Sequence, residues 1–515
     1  MNHQSRIKNT SKNIVFATIF QFIKILLVFL GRIIFVRQLG VSYLGINGLF
    51  TNVLSILSLA DFGITTTLMF CLYKPLSDND EDKIVQYMNH FKKVYNIIAL
   101  AVAIFGICLI PFLKYLVNLP ENVPNIYIYY LLLLGNSVLS YLFVYKTTLL
   151  SADQKMYVIN KYDIIFQFIL FFVQNAFLIL TKSFILYLVC NIVCTFISNL
   201  LKVNATNKIY PFLREKKKVE LPKEDKKNIF KNLYSLSCYK LGSVLQGSTD
   251  NILISVFVGT IAVGYYSNYN TIILSVTSFL SLAFASLKAS MGNFVVKKDK
   301  LEQFKMYNIL ELYNFWLVSF CSVCFMILIP DFLEICFGKE YILGFGLLAC
   351  TVLNFYTSNI RQVLWVYRET TGIFTKTKYI TLVTTFFNVI LSVIGGYYFG
   401  IVGIILATVI ARFIYAWWRE VQIIFKNCFD AKPGDYYITY IKRLIFTCII
   451  YLATALICKY LTVFNIYINF IIKMIICIIV PNVILFIVYK KSDAIKYFTS
   501  NIVKTIINKK NANVN

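Results

Sequence analysis

Apolar runs of about 20 residues, separated by short polar segments, recur along the whole chain. As an α-helix, a run of that length crosses about 30 Å of hydrocarbon. Lipid offers no partner to backbone N–H and C=O groups, so a chain crossing it as separate apolar runs must be helical. The pattern predicts fourteen spans, at 13–36, 43–72, 94–117, 125–146, 157–181, 183–203, 232–258, 264–290, 306–330, 341–367, 379–399, 401–425, 440–461 and 466–489. The expected fold class is an all-α polytopic membrane protein of about 14 transmembrane helices. The second, eighth and tenth runs are long enough to tilt or to extend beyond the lipid. The first run is too long for the apolar region of a signal peptide and lacks a small-residue cleavage site, so it is read as the first span.

The longest polar stretch, 204–228, contains REKKKVELPKEDKK and splits the spans into two blocks of six followed by a pair. The expected organisation is an N-terminal six-helix lobe over 1–203, a basic cytoplasmic linker over 204–231 and a second six-helix lobe over 232–426. An extra helix pair over 427–489 and a basic cytoplasmic tail over 490–515 complete it. The two blocks look related. LGVSYLGINGLF places Gly40 and Gly45 in the turn between spans one and two, and VGTIAVGYYSNY places Gly259 and Gly264 between spans seven and eight. Each block holds an even number of spans, so the repeats have the same orientation and an axis along the membrane normal relates them. In the tail, Ile495, Phe498, Ile502 and Ile506 stand at helical spacing among lysines. Two readings stand there: an amphipathic segment on the anionic inner leaflet, or a frayed basic tail.

Composition supports the membrane class. The chain is 58% hydrophobic and only 14% charged, against roughly 25% charged in soluble domains. Its net charge of +26 suggests nucleic acid until the basic residues are placed. With the N-terminus inside, the outer segments hold only Arg37, Lys114, Lys182, Lys339 and Lys459, while clusters such as Lys216, Lys217 and Lys218 fall inside. The bias alternates loop by loop, as the positive-inside rule requires. Both termini are therefore expected in the cytoplasm, and no nucleic-acid partner is expected. Most of the 13 cysteines lie in apolar runs, where Cys acts as a small hydrophobe. Cys321 and Cys324 form a C-x-x-C, but with only two histidines and no second Cys pair it does not read as a zinc site. No metal and no cofactor are expected.

A charged residue at mid-helix costs roughly 2.5–3.5 kcal/mol on insertion scales, so it faces a polar cavity or a partner. The cationic candidates are Lys24 and Arg32 on the first span, Lys240 on the seventh, Arg361 on the tenth and Arg412 on the twelfth. The acidic candidates are Asp61 on the second, Asp163 on the fifth, Asp250 on the seventh and Glu311 on the ninth. Lys24 and Arg32 fall within about 80° of each other on one helix face. Two readings stand. In one, the cations line a cavity for an anionic substrate, the guanidinium fork suiting phosphate, and an acid such as Asp250 takes up a proton or Na⁺. In the other, the charges are structural pairs, for instance Lys24 with Asp61 or Lys240 with Asp250.

Several motifs lack their context. Asp61-Phe62-Gly63 spells a kinase triplet without the other kinase loops. Gly344-Phe345-Gly346 with Ala349 imitates a dinucleotide fingerprint inside an apolar helix. Asn204-Ala205-Thr206 is a glycosylation triplet on the cytoplasmic side. No Ser/His/Asp or Cys/His constellation marks a catalytic site, and the outer segments are too short to hold a polymerase site, so an enzyme is not expected.

Two stretches carry a resemblance. GRIIFVRQLGVSYLGINGLFTNVLSILSLADFGITTTL, from Gly31 to Leu68, has a basic residue, Leu-Gly, a Tyr-x-Gly turn and a later Asp-x-Gly. TDNILISVFVGTIAVGYYSNYN has an Asp before an apolar run and then Gly-x-Tyr-Ser. With these the chain resembles the polysaccharide (O-antigen or capsule, Wzx-type) flippases of the multidrug/oligosaccharidyl-lipid/polysaccharide exporter superfamily. The resemblance implies two six-helix bundles around a central cavity that opens alternately to each side, plus a C-terminal helix pair. It implies transport of an undecaprenyl-diphosphate-linked oligosaccharide from the inner to the outer leaflet of a bacterial membrane, coupled to H⁺ or Na⁺. Membrane lipids, a polysaccharide polymerase and glycosyltransferases are the implied partners. Arg32, Arg37, Asp61 and Asp250 match the patterned sites. The alternatives are a multidrug or lipid II exporter of the same superfamily, a polytopic polysaccharide polymerase, or a scaffold in a glycan-assembly complex.

Overall fold

The computed structural model describes residues 3–57, 63–118, 123–214, 221–222, 229, 242, 244–429, 431–461 and 465–497. Among the described residues the only regular structure is helical. In chain order the helices are α1 (His3–Leu39), α2 (Val41–Leu57), α3 (Ile64–Asp78), α4 (Glu81–Cys108), the short α5 (Leu113–Leu116), α6 (Ile126–Ala152), α7 (Met156–Thr181) and α8 (Phe184–Ile209). Then come α9 over 244–257, α10 (Thr260–Lys297), α11 (Lys300–Phe337), α12 (Phe345–Asn359), α13 (Gln362–Thr370), α14 (Phe374–Ala411), α15 (Trp417–Ile424), α16 (Gly434–Leu461) and α17 (Ile466–Tyr489).

Among the described residues, ten helices are long and apolar enough to cross a membrane, and the chain is a multi-pass membrane protein. Four differences separate this figure from the fourteen expected spans. The second span is two helices, α2 and α3. The seventh is described as a helix only from residue 244. The tenth is interrupted at Ile360 and Arg361, between α12 and α13. The eleventh and twelfth share α14, whose helical geometry fails at Gly400 (φ 58). The ninth span is longer than expected: α11 has 38 residues, about 57 Å of helix, and so reaches well beyond the hydrocarbon. Its first turn is capped by Asp299, which accepts from the Glu302 N–H at 2.8 Å.

The chain forms two compact units, Met1–Ser267 with Thr381–Ile404, and Asn268–Ile380 with Ile405–Asn515. In the first unit α1 lies along α7, where Gly31 leaves room for Asn175 and Phe171. An aromatic cluster of Phe35, Tyr43, Tyr129, Phe184 and Tyr187 packs nearby, with ring centroids 4.8–6.1 Å apart. The segment Thr381–Ile404 joins this unit through local contacts. Thr385 Oγ1 donates to the Gly242 carbonyl at 2.9 Å, and the Gly395 and Gly403 backbones touch across the break at Gly400.

The second unit is built on α11. Of its most apolar window 56% is buried inside the protein, against 17–28% for the other crossing helices, so α11 is a core element. Phe315, Val318, Val323 and Leu333 of α11 pack with Val352 and Phe355 of α12, Tyr367 of α13, Val421 of α15, Ile450 of α16 and Leu485 of α17. Polar rungs tie the final helix pair to the same helix. Ser319 and Thr447 hydroxyls are 2.7 Å apart, Trp316 Nε1 donates to Asn482 Oδ1 at 2.7 Å, and Lys473 pairs with Asp331 at 2.6 Å.

Candidate functional site

The interruption between α12 and α13 exposes carbonyls that a continuous helix would satisfy. In lipid each such group must find a partner within the protein. Asn314, fully buried on α11, supplies two bonds. Its Nδ2 donates to the Asn359 carbonyl at 3.1 Å and to the Ile360 carbonyl at 2.8 Å. Arg412 supplies more. Its Nη1 donates to Thr357 Oγ1 at 2.6 Å and to the Asn354 carbonyl at 3.3 Å, and its Nη2 donates to Asn354 Oδ1 at 3.1 Å. Arg412 opens a π-helical turn, Arg412–Ala416, of the kind that re-aims side chains inside an α-helix.

Arg361 stands at the break itself. Its guanidinium contacts Glu420 Oε2, while Arg368 Nη1 donates to Glu420 Oε1 at 2.8 Å. Trp365 lies between the two arginines, its ring 5.6 Å from the Arg361 guanidinium carbon and 5.9 Å from that of Arg368. All three charged groups are buried, Glu420 to 1% exposure. Glu311 is similarly engaged: its carboxylate meets the Arg443 guanidinium, which also lies over the Phe315 ring at 4.9 Å. Thus Arg361, Arg412 and Glu311 hold the second unit together, and none presents its charged end on the surface.

In the first unit the charges are placed differently. Lys24 is exposed on α1, within the crossing stretch Thr18–Leu39. Its Nζ stands 5.8 Å from the Phe20 ring centroid, and among the described residues it has no ion pair. Arg32 is on the same helix and donates to Ser267 Oγ, which in turn donates to the Gly264 carbonyl at 2.7 Å. Asp163 is paired with Lys202. Asp250, on α9, is buried beside buried Asn251 and within electrostatic reach of the Tyr266 hydroxyl. Asp61 and Lys240 lie outside the described residues.

Glu420, Arg368, Asn314, Arg443 and Lys473 were not among the sequence candidates. Lys473 lies centrally in an expected span, and Glu420 lies within the twelfth, so a scan for every charge inside an apolar run flags both. Asn314 gives no such signal, because an uncharged amide carries little penalty and its role appears only with the broken helix beside it.

No protein-family model matches the sequence. No curated protein matches it. Solved structures do match. The lipid II flippase MurJ in an inward closed conformation is similar with TM-score 0.68 and 15% identity, covering 93% of this chain and 99% of that one. An inward-facing multidrug resistance MATE transporter of the MOP superfamily has TM-score 0.57 and 15% identity, covering 78% and 95%. A MATE transporter of Vibrio cholerae has TM-score 0.57 and 13% identity, covering 83% and 100%. At these identities the shared property is the all-helical fold.

Proposed function

We propose that this protein is an alternating-access flippase that moves an undecaprenyl-diphosphate-linked oligosaccharide from the inner to the outer leaflet for polysaccharide biosynthesis. It acts in a bacterial cell membrane, with both termini cytoplasmic and with glycosyltransferases and a polymerase as partners. The observation that carries this reading is Lys24, an exposed mid-span ammonium with no ion pair among the described residues. Such a group facing only hydrocarbon is expensive, so its surface meets water or an anion, and a diphosphate headgroup supplies the anion. A cationic drug would be repelled there, which argues against multidrug export. Arg32, on the same helix, adds a planar fork suited to phosphate oxygens. Asp163 and Glu311 are held in ion pairs; we assign H⁺ or Na⁺ coupling to Asp250, a buried carboxylate on α9. Likeness to the lipid II flippase fold over 93% of this chain makes lipid II the second reading.

The test is an analysis of membrane lipids in cells lacking the protein. The proposal expects the complete lipid-linked oligosaccharide to accumulate on the cytoplasmic leaflet. Wild type relieves that accumulation, and well-expressed Lys24→Ala and Asp250→Asn do not. Accumulation of lipid II alone moves the second reading ahead. Oligosaccharide that reaches the outer leaflet normally but stays unpolymerised rejects the flippase in favour of a polymerase.

A further inference from the structure

The two related glycine turns meet each other inside the first unit. Gly40 (φ 86) ends α1 and Gly259 (φ 125) precedes α10, both in the backbone region that glycine adopts without a Cβ clash. Val41 and Thr260 begin the following helices, and Gly45 and Gly264 lie one turn further on. The contact is reciprocal. A Cβ added at Gly264 would come to 2.5 Å from the Val41 carbonyl oxygen, and one added at Gly45 would collide with the Thr260 carbonyl oxygen. Neither site has room for a methyl group, so backbone rests on backbone.

The turn before α10 is also seated on the other side. The Thr260 N–H donates to the Asn118 carbonyl at 2.8 Å, and the Asn118 N–H donates to Thr260 Oγ1 at 3.0 Å. Ser255 Oγ donates to the Leu116 carbonyl at 2.6 Å and stands 2.7 Å from Thr260 Oγ1. Ser255 and Thr260 are both fully buried. One residue, Thr260, therefore joins the glycine contact to the end of α5.

We propose that this contact is a releasable clasp, and that parting the two glycine turns is a step the protein must take to open on the outer side. This rests on the flippase reading and on the orientation set by the lysine distribution, which places both turns outside. The physical basis is the reciprocal fit. Two helix starts reach backbone contact of this kind only if both carry glycine at the touching turn. The two turns meet through backbone proximity at Gly45 and Gly264, while the hydrogen bonds of Thr260 and Ser255 run to the end of α5, so the contact has a defined geometry and can come apart.

The test uses the full chain in cells. Gly48 faces Val263, with a Cβ built at Gly48 3.5 Å from Val263 Cγ1, so cysteines at the two positions are neighbours. The paired variant Gly48→Cys with Val263→Cys is oxidised with copper phenanthroline, which removes two electrons and two protons from the thiols. The clasp predicts a cross-link and a block of transport that a reductant reverses. Separately, Val263→Cys is combined with Gly45→Ala or Gly264→Ala and treated with a membrane-impermeant maleimide, read at position 263 by peptide mass. The added methyl props the clasp open, so labelling rises by roughly tenfold or more. Transport unimpaired by a complete cross-link overturns the clasp, as does labelling that stays at the parent rate in a folded alanine variant. If an alanine variant does not fold, the cross-link decides alone. A clasp that cross-links and opens as described, in a protein whose loss leaves every glycan lipid unchanged, supports the clasp and rejects the substrate.

Discussion

The two compact units differ in how many of their intramembrane charges they close off. In the second, intramembrane charges are consumed internally: Arg361 and Arg368 by Glu420, Arg443 by Glu311, and Lys473 by Asp331. Arg412 is occupied by the carbonyl and side chains of the broken helix. In the first, Asp163 is paired with Lys202, but Lys24 stands on an exposed face and Arg32 is bonded to the Ser267 hydroxyl. A buried charge with a closed set of partners resists movement, because removing one partner strands the other. An exposed one is available to a ligand. The comparison teaches that a charge inside an apolar run has two fates, and that only its surroundings tell which.

The comparison breaks most easily at Glu420. Glu420→Gln leaves two buried arginines facing one neutral group and is expected to destabilise the protein by about 3–5 kcal/mol. Thermal unfolding of the purified protein in detergent measures this, and a variant as stable as the parent would show the triad to be dispensable. Asn314→Leu comes next. It strands the Asn359 and Ile360 carbonyls, at about 1–3 kcal/mol for each buried group, and faster backbone exchange around 354–364 is the expected signature in a hydrogen-exchange experiment. Thr447→Val removes one polar rung between α11 and α16 and is expected to cost about 0.5–1.5 kcal/mol in the same melt. At the other end of the scale is Lys24→Ala, with stability changed by no more than about 0.5 kcal/mol while transport fails and Lys24→Arg retains it. Should Lys24→Ala instead melt far below the parent, Lys24 is structural and the contrast between the units collapses.

Much of the fold was legible because its signal is local. The apolar runs located most of the helices, although the second and tenth runs each proved to be two helices and the eleventh and twelfth share α14. The interruption at Ile360 and Arg361 was not legible. Neither glycine nor proline stands there, and the segment TSNIRQVL continues an apolar run with a few polar residues that a helix tolerates. What makes the break tenable is Asn314 on one side and Arg412 on the other, both distant in sequence. Charges were visible as charges, but partners were not. The sequence left Arg361 and Arg412 between a substrate cavity and structural pairing, and the structure gives them protein partners. The pair Asp331 with Lys473 joins residues on two separate spans, and no spacing rule links them.

The sequence by itself determined the helical membrane class, the approximate positions of most crossings and the matching glycine spacing at Gly40–Gly45 and Gly259–Gly264. Hydrocarbon forces each of these locally: twenty apolar residues must be a helix wherever they occur, and a turn at a helix start writes its glycines into a short window. Only the tertiary structure decided which charges are spent on packing and which remain open, that Thr381–Ile404 packs with the first unit, and that the two glycine turns touch. Those outcomes depend on which helix lies beside which. In a chain whose helices all present similar apolar faces, that choice is made by a few polar contacts between residues far apart in sequence.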